Sequence, residues 1–180
     1  IRRVKMKLLI QSIVLLIFVS CSGQQLSSYK DETPKLNLKE FFSGKLYALG
    51  IVQSRSGQVT QRFRVDIDAS WEGDVAKLDE KFVFSDGSTD ERIWTLKEVG
   101  TNEYVGEAHD VVGEAEGKVV GNAFKFNYVL NVPVGESTSK IKVDDWMYLL
   151  ANNTLLARSY MTKFGFDVGE ITIVMMKEMP

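Results

Sequence analysis

The segment Gly113–Leu130, GEAEGKVVGNAFKFNYVL, constrains the fold more than any other because it carries its own register. Gly121-Asn122 is a two-residue hairpin signal, since both residues accept the positive φ of a tight turn. With that loop, Val120 pairs with Ala123. Counting outward places Val119, Gly117, Ala115 and Gly113 on one face, beside Phe124, Phe126, Tyr128 and Leu130. Small residues meet large ones, as an interdigitating core requires. The other face carries Glu114, Glu116 and Lys118 against Lys125 and Asn127, and is wet. A one-residue slip would bury these charges, so the register is strongly specified.

The rest of the chain from Gly44 repeats this grammar. Val59–Trp71 alternates strictly, with Phe63, Val65, Ile67, Ala69 and Trp71 on one face and Arg62, Arg64, Asp66 and Asp68 on the other. Strands are expected at 44–53, 59–71, 75–85, 92–99, 103–110, 114–120, 123–132, 140–150, 154–163 and 168–177, with turns at Ser54–Gln58 and Asp86–Ser88. Parallel pairing needs crossover helices, and the loops leave no room for them. An antiparallel meander of about ten strands must close or cover its edges. The expectation is all-β: an up-and-down barrel of lipocalin or calycin type. Leu36–Phe42 supplies a short helical turn that plugs or covers one end.

The first twenty residues differ in kind. Arg2, Arg3, Lys5 and Lys7 precede the apolar run Leu8–Val19, which is too short to span a bilayer as a helix and reads as a signal peptide. Met6-Lys7 opens it in the more usual way, so either translation starts at Met6 or Ile1 is a non-ATG start codon read literally. Cys21, the only cysteine, has no internal disulfide partner. Phe18-Val19-Ser20-Cys21 resembles a bacterial lipobox, with Phe where Leu is usual, which makes Cys21 the acylated residue. Ser22 rather than Asp after that cysteine implies the outer membrane, at the periplasmic face, in a Gram-negative cell. Residues 21–35 are polar and aperiodic, and read as a flexible lipidated tether to a single domain at 36–180.

Polar residues on an inward face carry what function a barrel has. Two Asn in Ala151-Asn152-Asn153-Thr154 suit a hairpin loop. Simple counting from it sets Leu149 opposite Leu156, Met147 opposite Arg158 and Asp145 opposite Tyr160. Asp145 and Arg158 are then expected to form a buried salt bridge, because an unpartnered buried carboxylate is costly. If the loop around Asp86-Gly87-Ser88 has three residues, Leu78, Glu80, Phe82 and Phe84 share a face with Arg92, Trp94 and Leu96, giving a second pair, Glu80 and Arg92. These pairs are structural ties, or they orient a ligand's polar head while aromatics hold its tail. On the second reading the ligand site is Arg92, Trp94, Phe126, Tyr128, Asp145, Arg158 and Tyr160. Acid–base candidates are Glu80, Asp145 and the single histidine, His109, which adjacency alone does not make a dyad with Asp110.

Other classes find little support. A net charge of −2 with no basic stripe gives nucleic acid nothing to hold. No phosphate loop, dinucleotide glycine motif, nucleophile elbow or His/Cys cluster is present, and no cofactor or metal is expected.

Glu40-Phe41-Phe42-x-Gly44, Trp71 with Leu78-Asp79-Glu80-x-Phe82, Arg92-x-Trp94, Ala108-x-Asp110-Val111-Val112-Gly113, Asp144-Asp145-Trp146-Met147-Tyr148-Leu149 and Lys163-Phe164-Gly165 resemble the bacterial lipoproteins of domain-of-unknown-function family 3833. The resemblance covers nearly all of the mature chain and implies an envelope lipoprotein without assigning an activity. The likeness to lipocalins is architectural, since Gly44-Lys45-Leu46 replaces their Gly-x-Trp. Three functions compete: binding of a lipid or other apolar small molecule, catalysis on such a lipid, and an envelope interaction role for a solidly packed barrel.

Overall fold

A computed structural model describes residues 23–178. The expected signal peptide and Cys21 lie outside the described residues. Ten antiparallel strands run β1 (Gly44–Ser54), β2 (Val59–Glu72), β3 (Val75–Phe84), β4 (Thr89–Gly100), β5 (Glu103–Glu107), β6 (Ala115–Val120), β7 (Ala123–Val134), β8 (Ser137–Ala151), β9 (Thr154–Lys163) and β10 (Phe166–Met176). Each pairs with its sequence neighbour, and β1 pairs with β10, so the sheet closes into the up-and-down barrel that the patterning demands. Closure gives every described strand two neighbours, although the short β5 leaves residues 89–94 of β4 without a ladder partner on that side.

The register follows from turn chemistry where the sequence speaks clearly. Val120 pairs with Ala123, Val119 with Phe124 and Gly117 with Phe126. Gly117 is needed for space: a β-carbon there would lie 2.4 Å from the Phe124 ring. Gly121 has φ 62°, and a β-carbon would also collide with the Tyr29 carbonyl, so no other residue serves. At β3–β4 the three-residue loop is the one realised. Phe84 N donates to Ser88 O, and Glu80 faces Arg92 across the ladder.

The β8–β9 hairpin corrects the counting argument. Ala151 does pair with Thr154, but a bulge between Leu149 and Ala151 shifts everything beyond it by one residue. Leu149 opposes Leu155, Asp145 opposes Ser159, and Trp146 opposes Arg158. Arg158 therefore points outward, where its Nε donates to Glu170 Oε2 at 3.1 Å. The buried Asp145–Arg158 salt bridge does not form.

One end of the barrel is sealed. Helix α1 (Leu38–Phe41) buries Leu38 and Phe41, flanked by buried Leu36 and Phe42. Trp71 Nε1 donates to Phe42 O at 2.8 Å, and Lys177 Nζ donates to Glu40 O and Ser43 O. These bonds satisfy carbonyls that a short helix leaves unpaired. Around this plug Leu46, Phe124 and Leu155 are fully buried.

Residues 23–35, read from composition as a flexible tether, instead lie on the outer wall. A 3₁₀ turn at Leu26–Tyr29 sets Tyr29 against Trp146 and Tyr148, with ring centroids 6.2 and 5.4 Å apart. Leu36 N donates to Gly121 O at 2.8 Å. Trp146, on the outward side of β8, is thereby buried. Covering these outward aromatics offsets part of the chain freedom that the segment loses.

Candidate functional site

The end of the barrel away from α1 is ringed by the β1–β2, β3–β4, β7–β8 and β9–β10 hairpins and by the 108–114 loop. Between that mouth and Phe42 of the plug lies a cavity of about 210 Å³ inside the lumen. β1, β2 and β10 contribute only apolar groups to it, among them Val52, Phe63 and Ile171. Trp94 packs on Phe126 and Tyr128, with centroids 5.3 and 5.4 Å apart. Toward the mouth, Phe82 and Phe84 stack at 6.0 Å and stay half-exposed.

The polar lining is sparse. Glu80 of β3, Arg92 of β4, Asp145 of β8 and Ser159 of β9 meet there, with the half-buried Tyr128 of β7. Ser159 Oγ donates to Asp145 Oδ1 at 2.9 Å. Arg92 turns toward the mouth: its Nη2 lies 2.8 Å from Asp110 Oδ2 on the 108–114 loop, and its guanidinium lies over the Phe82 ring. Glu80 faces Arg92 in register, yet it has no hydrogen-bond or ion-pair partner among the described residues. The surface it keeps is cavity wall rather than barrel exterior.

Burial dominates the protonation of this site. It pushes the Glu80 carboxyl up to about 7; Arg92 opposes the rise, and Asp110 and Asp145 add to it. Asp145 is raised to about 6, again by burial, with the Ser159 hydroxyl pulling the other way and Asp144 adding to the rise. The Tyr128 hydroxyl is held well above its usual range by burial first and by the Asp145 charge second. Each carboxyl can donate a hydrogen bond only below its raised value; above it both are acceptors that carry negative charge.

Of the residues expected at a site, Glu80, Arg92, Trp94, Phe126, Tyr128 and Asp145 line this one cavity. Arg158 and Tyr160 belong instead to a surface depression with Gln53, Arg55 and Glu170, a displacement that follows from the bulge. His109 is exposed on the 108–114 loop. Sequence reasoning missed Ser159 and Asp110. Ser159 alternates with Ala157 and Leu155 on the buried side of β9, a signal legible once the bulge is admitted. Asp110 lies in a loop beyond β5, where strand periodicity says nothing.

Among the described residues, no His/Cys/Asp/Glu cluster is placed to hold a metal, and no helix is long and apolar enough to cross a membrane.

Fold and cavity together define a calycin-like barrel: closed, antiparallel, plugged at one end, with a small lumen whose few polar groups converge. The chain belongs to the family of proteins of unknown function DUF3833, whose sequence profile matches residues 15–177. No curated protein matches it in sequence. Among solved structures it is similar to an S-type phycobiliprotein lyase of Guillardia theta, with a TM-score of 0.59 at 9% identity, over 87% of this chain and 99% of that one. That likeness shows a shared fold. A looser likeness, TM-score 0.45 at 10% identity over 79% of this chain and 99% of the other, is to a de novo designed fluorescence-activating β-barrel.

Proposed function

We propose that the protein binds a lipid or other apolar small molecule in its lumen, held at the periplasmic face of the outer membrane by an acylated Cys21. The supporting observation is the cavity itself: about 210 Å³, walled by aromatic and aliphatic side chains, with Glu80, Arg92 and Asp145 gathered in it. A barrel whose only task was to present its outer wall would have no use for three ionisable groups inside, since each is costly to bury. The volume limits the ligand. It exceeds the ~150 Å³ that admits a benzene-sized guest and falls short of the ~300–1,000 Å³ of drug-sized sites. The lumen therefore takes one segment of an acyl chain or a compact apolar group, with any remainder emerging at the mouth. There Phe164 is 90% exposed and Phe166 67% exposed, so the remainder would meet apolar side chains.

Native mass spectrometry of the purified full chain, before and after exposure to a lipid extract, tests the binding. An apolar adduct is expected, and protein that stays empty under both conditions would overturn the reading. For the anchor, palmitate labelling should be lost in Cys21→Ser. Catalysis on the bound lipid is a second reading, motivated by a Glu80 carboxyl that titrates near neutrality inside the cavity. It requires turnover that Glu80→Gln abolishes while binding persists.

A further inference from the structure

The charge inventory of the lumen goes one step further than an apolar guest. Three carboxyl groups and one cation converge at the cavity: Glu80, Asp145 and, at its mouth, Asp110 with Arg92. Asp110 already engages Arg92, the only cation lining the cavity among the described residues, at 2.8 Å, and draws it toward the 108–114 loop. Ser159 satisfies one oxygen of Asp145, and no described residue satisfies Glu80. Around the two inward carboxyls, β3 contributes Glu80 itself, β4 Arg92, β7 Tyr128, β8 Asp145 and β9 Ser159; the outward Asp144 adds its charge through the wall, and β1, β2 and β10 bring nothing titratable into the lumen. The site thus holds an excess of acceptors and negative charge without a free positive partner among the described residues.

We infer that the head group this lumen selects is a protonated amine on an apolar tail, seated between Glu80 and Asp145, and that a free carboxylate is rejected. The inference rests on the lumen being a ligand site, as proposed above. An ammonium supplies donors and the missing positive charge, turning a costly pair of buried carboxylates into compensated ones. A fatty carboxylate would add a further uncompensated negative charge beside them. An alcohol, which donates without charge, falls between the two. An alkylamine stays protonated across the neutral range, as a lysine side chain does. Its affinity is therefore expected to follow the ionisation of the two carboxyls.

The experiment compares n-octylamine, n-octanol and octanoate by calorimetry on the full chain at pH 8 and pH 5. At pH 8 the amine is expected to bind roughly tenfold or more tighter than octanoate, with octanol between them; a tenfold ratio corresponds to about 1.4 kcal/mol. At pH 5, where Glu80 and Asp145 hold their protons, the amine's advantage should shrink. In the double variant Glu80→Gln/Asp145→Asn the amine should lose its advantage at pH 8 while octanol, which reports an intact lumen, still binds. Octanoate binding as tightly as octylamine at pH 8, an amine affinity indifferent to pH, or an amine preference retained in the double variant would each overturn the inference and leave the lumen a ligand site. Failure of all three probes to bind would remove the lumen reading itself, and this inference with it.

Discussion

The two halves of the lumen are built to different rules. Around α1 the barrel is filled: Leu38, Leu46, Phe124 and Leu155 are fully buried, small residues sit against large ones, and the Trp71 and Lys177 side chains tie down the carbonyls of the plug. Toward the mouth the same strands place Phe82, Phe84 and Tyr128 half-exposed beside Glu80, Arg92 and Asp145, and leave a void. Stability resides in the first half, and the second half gives some of it up. A barrel packed to the mouth would be more stable and would have nowhere to put a guest. The lesson concerns division of labour along each strand. β3, for example, runs from Ala76 and Leu78 in the filled half to Glu80 and Phe82 in the open one.

Four experiments break or sharpen that contrast. The largest effect belongs to Phe124→Ala, which empties the filled half. It should cost about 3–5 kcal/mol and lower Tm by roughly 6–20 °C for a chain of this size, whereas Phe84→Ala at the mouth should cost about 1 kcal/mol. Equal losses measured by calorimetry would mean that the two halves do not differ.

Next comes Glu80→Gln. The folded value near 7 lies above the ordinary 4.5, so between those limits the unfolded chain releases a proton that the folded chain keeps. Wild-type stability must then fall as pH rises through that window and level off above it. Asp145 acts in the same sense between 3.8 and about 6. The glutamine variant lacks the Glu80 contribution, so denaturant titrations should find it more stable than wild type by on the order of 2 kcal/mol at pH 8 and equal to it at pH 4.

Ser159→Ala is smaller. It removes one donor from a buried carboxyl, should cost about 1 kcal/mol, and should push Asp145 higher still, visible as a shifted carboxyl resonance in an NMR titration. The smallest effect is expected for Arg158→Met. Its partner Glu170 sits on the outer wall and the pair is half-exposed, so a loss under about 0.5 kcal/mol should appear in the same titrations. A loss of several kcal/mol would instead indicate that Arg158 points inward with Asp145.

That last contrast marks the limit of what residues in order reveal. The β6–β7 register was legible because its Gly121-Asn122 turn is short and free of irregularity, so counting from the loop stays in phase, whereas the β3–β4 register depended on a three-residue loop, which is the one realised. In β8–β9 the loop was equally legible, but one bulged residue between Leu149 and Ala151 reversed the face of Arg158 and brought Ser159 inside. Nothing in Leu149-Leu150-Ala151 announces a bulge, although an Arg among apolar inward positions was a warning. The packed segment 23–35 was also missed. Its composition is that of a linker, and only Trp146 and Tyr148, two aromatics on the otherwise wet side of β8, hinted that something must cover them. Arg92 was placed correctly, while its partner Asp110 arrives from a loop whose path no periodicity describes.

The seam between β1 and β10 also shapes how the molecule comes into being. Tyr47 finds Met176, and Ser54 finds Gly169, across almost the whole barrel sequence, and the plug waits for Lys177 to tie down its last carbonyls. Pairing so distant in sequence makes for slow folding, in the millisecond-to-second range or beyond. Until the final strand is synthesised, β1 and β9 stand as two bare edges facing other chains in a crowded cell, and that half-made sheet is the species most in need of a chaperone.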